Sequence, residues 1–185
     1  IPGGGIPTAA IADLLADTAN RFTGITAAAA ALVRLEGDVL RWLCLEFGYG
    51  SKAYGLLTPG GSSANFTAFV AARVARLDDS GDFRRALAYT SSQAHHSVHK
   101  SLHLTGIPRA NVRAVPIDAR YRMRADALAE IVAADEAAGL QPYLVCAAAG
   151  TTNTGAIDPL GPIADVCKRH GLWFHIDGAY GGAFV

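Results

Sequence analysis

The chain has 185 residues, of which 51% are hydrophobic and 17% are charged, so it can form an ordinary hydrophobic core and is not a disordered segment. Its 16 basic and 16 acidic residues cancel, which leaves no basic excess for binding nucleic acid or an anionic membrane surface. The three cysteines have no CxxC spacing and no apolar run approaches roughly 20 residues, so the sequence favours a cytoplasmic protein without a disulfide framework or a membrane span.

The N-terminal part of the sequence predicts helices. Apolar residues recur at spacings of three and four over residues 8–22 and 27–47, a pattern typical of amphipathic helices. A glycine-rich loop follows at residues 48–61. We therefore expect N-terminal helices within residues 8–47 and an α/β part over residues 48–185.

From residue 62 onwards, helical patterns alternate with short apolar runs. Short apolar runs separated by helices predict parallel strands joined by crossover helices, and hence an α/β layered fold. No internal repeat, low-complexity linker or domain boundary interrupts the pattern. The expected helices cover residues 62–76, 94–104, 124–138 and 160–170, and the expected strands cover residues 86–90, 112–117, 143–148 and 172–176.

The segment at residues 57–73 could bind an anion. Gly61 lets the backbone approach a ligand closely. The free N–H groups at the start of the following helix, together with the Ser62 hydroxyl, suit a phosphate group. An ordinary loop with serine at the helix N-cap explains the same residues without a ligand, and it is the commoner situation for one such motif alone.

Four histidines occur in the segment at residues 91–107. His95, His99 and His103 are spaced four apart, so a helix would present them on one face. This spacing is compatible with a transition-metal site, although no glutamate lies between the histidines as it does in HExxH motifs. An imidazole stacked on a planar cofactor and solvated histidines on an exposed face are the other two interpretations, and we favour the solvated one for His99 and His103.

Two further segments place small polar residues directly after an apolar strand, at residues 147–167 and 172–182. The carboxyl ends of parallel strands are the edge at which open α/β sheets bind ligands. Asp177 ends the second of these strands, so we expect it to be largely buried and to need a cationic partner. A role as the cap of the next turn is the alternative interpretation.

Together these segments resemble the group II pyridoxal-phosphate-dependent amino-acid decarboxylases, which include the aromatic-L-amino-acid, tyrosine, glutamate and cysteine-sulfinate enzymes. The resemblance covers essentially the whole chain, and four motifs in one order are far more specific than any single one. The motifs are TPGGSSAN at residues 58–65, QAHHS at 93–97, AGTT at 149–152 with GAIDP at 155–159, and HIDGAYGG at 175–182.

The resemblance implies a fold-type I transferase-like large domain with a mostly parallel sheet, a pyridoxal 5'-phosphate cofactor and a homodimer when full length. The implied activity is decarboxylation of an L-amino acid to an amine and CO₂. It also implies catalytic roles for His95, which stacks on the pyridine ring, and for Asp177, which pairs with the ring nitrogen. The implied cofactor-binding residues are Gly61, Ser62, His95, Thr152, Asp177 and Ala179, and no metal is expected.

One feature departs from the family pattern. The family's Schiff-base lysine lies a few tens of residues beyond the HIDGAYGG motif, and Lys52, Lys100 and Lys168 do not match its position. The missing lysine, together with the start at Ile1 and the end at Val185, leads us to expect a truncated, inactive fragment of the large domain. The alternatives are another pyridoxal-phosphate lyase or an aminotransferase on the same fold, a non-catalytic homologue, and a histidine metal protein.

Overall fold

The computed structural model describes residues 4–77 and 82–184. Ile1 and Val185, on which part of the expectation of truncation rests, lie outside the described residues. The contacts between residues divide the chain into two units, Ile1–Leu57 and Thr58–Val185. Each unit has its own architecture and is described by itself below.

Over its described residues, 4–57, the first unit contains two α-helices. Helix α1 covers Pro7–Ala19 and helix α2 covers Ala30–Glu46, with a short 3₁₀ turn at Thr26–Ala28 between them. The apolar side chains on these helices are largely exposed, and Leu40 is the one residue of α2 that is buried. None of the helices in the described part of the chain is long and apolar enough to cross a membrane.

In the second unit, residues 58–77 and 82–184 form a four-stranded sheet flanked by helices. Every strand pair is parallel and the strand order is β2-β1-β3-β4. This arrangement agrees with the α/β fold with crossover helices that the alternating pattern predicted. The strands are β1 Ala86–Ser91, β2 Val112–Val115, β3 Gln141–Ala148 and β4 Trp173–Asp177, and the helices are α3 Gly61–Arg76, α4 His96–Leu104, α5 Ala125–Ala137 and α6 Leu160–Arg169.

Strand alternation gives the sheet a buried core on both faces. In β1, Leu87 and Tyr89 point to the side covered by α5 and α6, whereas Ala86 and Ala88 point to the side covered by α3 and α4. All six residues of β1 are buried, as expected for a central parallel strand. Strand β4 forms one end of the sheet and its residues are only partly buried.

Candidate active site

The carboxyl ends of three neighbouring strands border one small cavity. Strand β1 ends at Ser91, β3 at Ala148 and β4 at Asp177, and all three residues line it. His95, in the turn after β1, lines the same cavity. The structure therefore brings together the two residues that the sequence assigned catalytic roles. The remaining lining residues are Thr90, Ala94, Val98, Cys146, Ala147 and Asp158.

His95 is the N-cap of α4 rather than a residue within that helix. Its backbone is extended, with φ of −59° and ψ of 143°, and its ring Nδ1 accepts a hydrogen bond from the Ser97 backbone N–H. The prediction that His95 shares a helical face with His99 and His103 is therefore wrong, because the helix begins one residue later. His99 and His103 are exposed, as the solvated interpretation expected.

The metal-site interpretation of the histidines finds no support in the part of the chain that the structure describes. Among residues 4–77 and 82–184, no group of three or more His, Cys, Asp or Glu side chains is placed to hold a metal ion. Lys100 and Lys168 are exposed and do not line the cavity.

Asp177 is held by two N–H donors and not by a cation. Its Oδ2 accepts a hydrogen bond from Asn65 Nδ2 at 3.0 Å, and its Oδ1 accepts one from the Ala179 backbone N–H at 3.1 Å. No ion pair to Asp177 occurs within the described residues. Asp177 is partly buried at the carboxyl end of β4, as the sequence led us to expect, although less completely than the residues of β1.

Asn65 is a site residue that the sequence analysis missed. It is 4% exposed and shares the inward face of α3 with Phe69 and Ala72. Its Nδ2 also donates to Ser97 Oγ at 3.1 Å, and its Oδ1 is 2.8 Å from His175 Nε2. The sequence did contain a signal for Asn65. It is a polar residue at a core position of an amphipathic helix, and a buried amide needs hydrogen-bond partners.

The start of α3 lies beside the segment that follows Asp177. A Cβ added to Gly61 would lie 3.8 Å from the Cβ of Ala179. The preceding residue, Gly60, has a φ of +129°, a conformation that favours glycine. Within the described part of the chain, the N–H groups of Gly61 and Ser62 donate to no acceptor, so they are available to an anion.

The loop after β3 contains Thr152, which is exposed and does not line the cavity. The same loop is tied to the HIDGAYGG segment, because the Gly181 N–H donates to the Ala149 carbonyl at 2.8 Å. A Cβ at Gly181 would overlap that carbonyl oxygen, which explains the glycine. Asp158, a second residue that the sequence analysis missed, is buried and accepts hydrogen bonds from the backbone N–H groups of Met123 and Ala148.

These groups fit a flat aromatic cation that carries a phosphate. Asp177 offers a carboxylate without a cationic partner, and His95 offers a ring at the same cavity. The α3 start offers two N–H groups for a phosphate, and Ala179 adds little bulk beside them. This donor set matches the pyridinium nitrogen, the ring and the phosphate of pyridoxal phosphate.

Comparison with known proteins agrees with this match. Residues 4–185 match the family model described as the pyridoxal-dependent decarboxylase conserved domain. The chain belongs to this family. It is 36% identical over 185 residues to an aromatic-L-amino-acid decarboxylase from Bacillus atrophaeus, covering 100% of the chain and 38% of that protein. It is 41% identical over 162 residues to the mouse (Mus musculus) cysteine sulfinic acid decarboxylase, covering 85% of the chain and 33% of that protein.

A solved structure confirms the predicted fold class and supports the cofactor. The crystal structure of Oryza sativa TDC with PLP and tryptamine superposes with a TM-score of 0.91 at 33% identity, covering 98% of this chain and 40% of that one. The resemblance to pyridoxal-phosphate decarboxylases and the pyridoxal phosphate cofactor are thus confirmed. The chain spans about two-fifths or less of the length of these relatives.

Proposed function

We propose that the full-length protein containing these 185 residues converts an L-amino acid to an amine and CO₂ with pyridoxal phosphate. The observation that carries the proposal is Asp177, a carboxylate without a cationic partner in the described structure, at the same cavity as His95. Family membership supports the same reaction. The bound cofactor supplies a ring that withdraws the electrons left on the substrate when CO₂ departs.

Residues of this chain would bind the cofactor ring and keep its nitrogen protonated. Asp177 keeps a proton on the ring nitrogen, because its negative charge stabilises the protonated form. His95, which lines the same cavity as Asp177, would contact the ring, and the small side chain of Ala179 would leave room for it. The N–H groups of Gly61 and Ser62, supported by the dipole of α3, bind the phosphate. Thr152 is exposed in the loop after β3 and does not line the cavity, so a contact with the cofactor rests on the family resemblance alone.

The substrate is assigned only as an L-α-amino acid. One relative is named for aromatic L-amino acids and another for cysteine sulfinic acid, and the chain resembles both. Another pyridoxal-phosphate lyase or an aminotransferase is the second candidate, because the Asp177 carboxylate would serve those reactions equally well.

The full-length protein forms a homodimer in the cytoplasm under this proposal. Leu14, Leu35 and Trp42 are 65%, 60% and 57% exposed on the N-terminal helices, an apolar surface that a second copy or the rest of the full-length chain would cover. Free Cys44, Cys146 and Cys167 are consistent with a reducing compartment. Sedimentation equilibrium of the full-length protein tests the assembly: we expect the mass of two chains, and a monomer across the micromolar range would contradict it.

The reaction is tested by measuring both products. Purified full-length protein with pyridoxal phosphate is incubated with carboxyl-labelled L-aromatic amino acids, L-cysteine sulfinate and L-aspartate, and the labelled CO₂ and the amine are quantified. We expect equal amounts of CO₂ and amine from at least one substrate. Amino-group transfer to a keto acid without CO₂ would favour the aminotransferase, and no turnover with saturating cofactor would favour a non-catalytic homologue.

A further inference from the structure

A buried amide connects the two residues assigned to the cofactor ring. Asn65 Nδ2 donates to Asp177 Oδ2 at 3.0 Å and to Ser97 Oγ at 3.1 Å. The Ser97 backbone N–H and its hydroxyl both contact His95 Nδ1, at 3.3 and 2.8 Å. Asn65 is therefore one hydrogen bond from Asp177 and two from His95.

The neighbours of Asn65 determine which way its amide faces. A carboxylate can only accept hydrogen bonds, so Asp177 must face the amide nitrogen. The amide oxygen then accepts a hydrogen bond from His175 Nε2, at 2.8 Å. Burial lowers the pKa of His175, so the ring is neutral at pH 7 and this bond places its single proton on Nε2.

The same direction of donation follows from the His95 side of the network. Because the Ser97 N–H donates to His95 Nδ1, that nitrogen carries no proton. The Ser97 hydroxyl therefore donates to Nδ1 as well, and its oxygen remains free to accept from Asn65 Nδ2. Each donor between His175 Nε2 and the Ser97 hydroxyl thus has an acceptor.

We propose that Asn65 is a positioning residue whose amide, oriented by His175, fixes the Asp177 carboxylate and the Ser97–His95 pair relative to each other for the cofactor ring. The proposal rests on the proposed function, because it assigns a role toward pyridoxal phosphate. With Oδ2 held by Asn65 and Oδ1 held by the Ala179 N–H, the carboxylate does not have to reorient when the ring nitrogen binds.

The Asn65→Asp substitution should make cofactor binding depend on pH in a way that tests this role. It replaces the donating nitrogen by an oxygen, so two carboxylates would face each other across about 3 Å, and their repulsion raises the pKa of the pair. When the new carboxyl is protonated it can donate to Asp177 and replace the lost N–H. When it ionises at higher pH, it repels Asp177. Binding should therefore be partly restored at low pH and lost as the pH rises.

Titration of the neighbouring groups cancels in the ratio to the wild type except for His175, whose Nε2 would face the new carboxyl, and repeating the series in the His175→Gln background removes that contribution. Burial raises the pKa of Cys146, so its thiol stays neutral, and the lowered pKa of His175 keeps that ring neutral from pH 7 upwards. The groups that surround residue 65 or line the adjoining cavity are His95, Cys146, Asp158, His175 and Asp177.

The experiment measures the dissociation constant of pyridoxal phosphate from the full-length apoprotein between pH 6 and pH 8. The ratio of variant to wild type removes the titration of the cofactor itself. For Asn65→Asp we expect a ratio of roughly 10–100 at pH 8 that falls several-fold by pH 6, from the strength of a hydrogen bond to a charged group. For Asn65→Leu we expect a similar ratio at both pH values, since leucine has no proton to regain.

Asn111→Leu is the matched control. Asn111 Nδ2 donates to the carbonyls of Arg84 and Ala86, far from the cavity lining, so its loss should lower the melting temperature and leave cofactor binding unchanged. A ratio for Asn65→Asp that is the same at pH 6 and pH 8 would overturn the proposal. If wild-type protein neither binds the cofactor nor releases CO₂, the proposed function fails instead.

A second pair of variants covers the case in which Asn65 variants do not fold. His175→Gln keeps an N–H that can donate to the Asn65 oxygen, whereas His175→Leu removes the donor that orients the amide. We expect Gln to stay within roughly threefold of wild-type cofactor affinity and Leu to lose roughly tenfold. Equal losses for the two variants, at equal melting temperatures, would contradict the orienting role of His175.

Discussion

The Asp177→Asn variant of the full-length protein probes the charge on which the proposed reaction depends. Asparagine keeps the size of the side chain and removes its charge. It also places an NH₂ group against one of the two N–H donors, from Asn65 or Ala179, that now hold the carboxylate. Loss of a preorganised electrostatic partner costs about 10²–10³-fold in rate, or roughly 3–4 kcal/mol. We therefore expect kcat to fall by about that factor with saturating cofactor.

The stability of the apoprotein should respond differently from its activity. Asp177 has no cationic partner in the described structure, so the substitution breaks no ion pair, but the new NH₂ group faces an N–H donor of Asn65 or Ala179. We expect the melting temperature of the Asp177→Asn apoprotein to lie at or slightly below that of the wild type. His99→Ala, at an exposed position of α4, is the control and should change little. Near-normal decarboxylation by Asp177→Asn with abolished activity in His99→Ala would refute the reasoning.

Three further outcomes are expected. Asp158→Ala removes a buried carboxylate that accepts two backbone N–H groups, so urea unfolding should show a loss of about 3 kcal/mol, and a loss below about 1 kcal/mol would contradict this role. Hydrogen bonds from Arg122 lower the pKa of Asp118 to about 2. The Asp118 carboxylate therefore stabilises the fold above about pH 4, and this contribution is lost as the pH falls through 2. When the free energy of unfolding is measured at falling pH, Asp118→Asn should lack this part of the loss. Iodoacetamide at pH 8 should label partly exposed Cys44 before buried Cys146, whose pKa burial raises, and the reverse order would contradict that burial.

Local patterns predicted the elements of the second unit well, because strand alternation and helical spacing reflect burial directly. The expected strand at residues 143–148, for example, corresponds to β3 at Gln141–Ala148. Errors occur at helix ends, because the conformation of a single residue determines where a helix stops. The first helix stops at Ala19 instead of continuing to residue 22, because Asn20 takes a left-handed conformation with φ of 42°.

Site residues could be predicted from the sequence only where a single local motif indicates their role. Asp177 is the last residue of β4 and His95 follows β1, so the carboxyl edge of the sheet brings them together. Asn65 contacts Asp177 across 112 positions of sequence, and no local pattern contains that pairing.

The most direct test of the central claim is the ¹⁵N chemical shift of ring-labelled pyridoxal phosphate bound to the full-length protein. If Asp177 pairs with the ring nitrogen, that nitrogen is protonated in the wild type and loses its proton in Asp177→Asn at pH 7. We predict the shift of a pyridinium nitrogen in the wild type and of a neutral pyridine nitrogen in the variant. The same shift in both proteins would contradict the pairing of Asp177 with the cofactor.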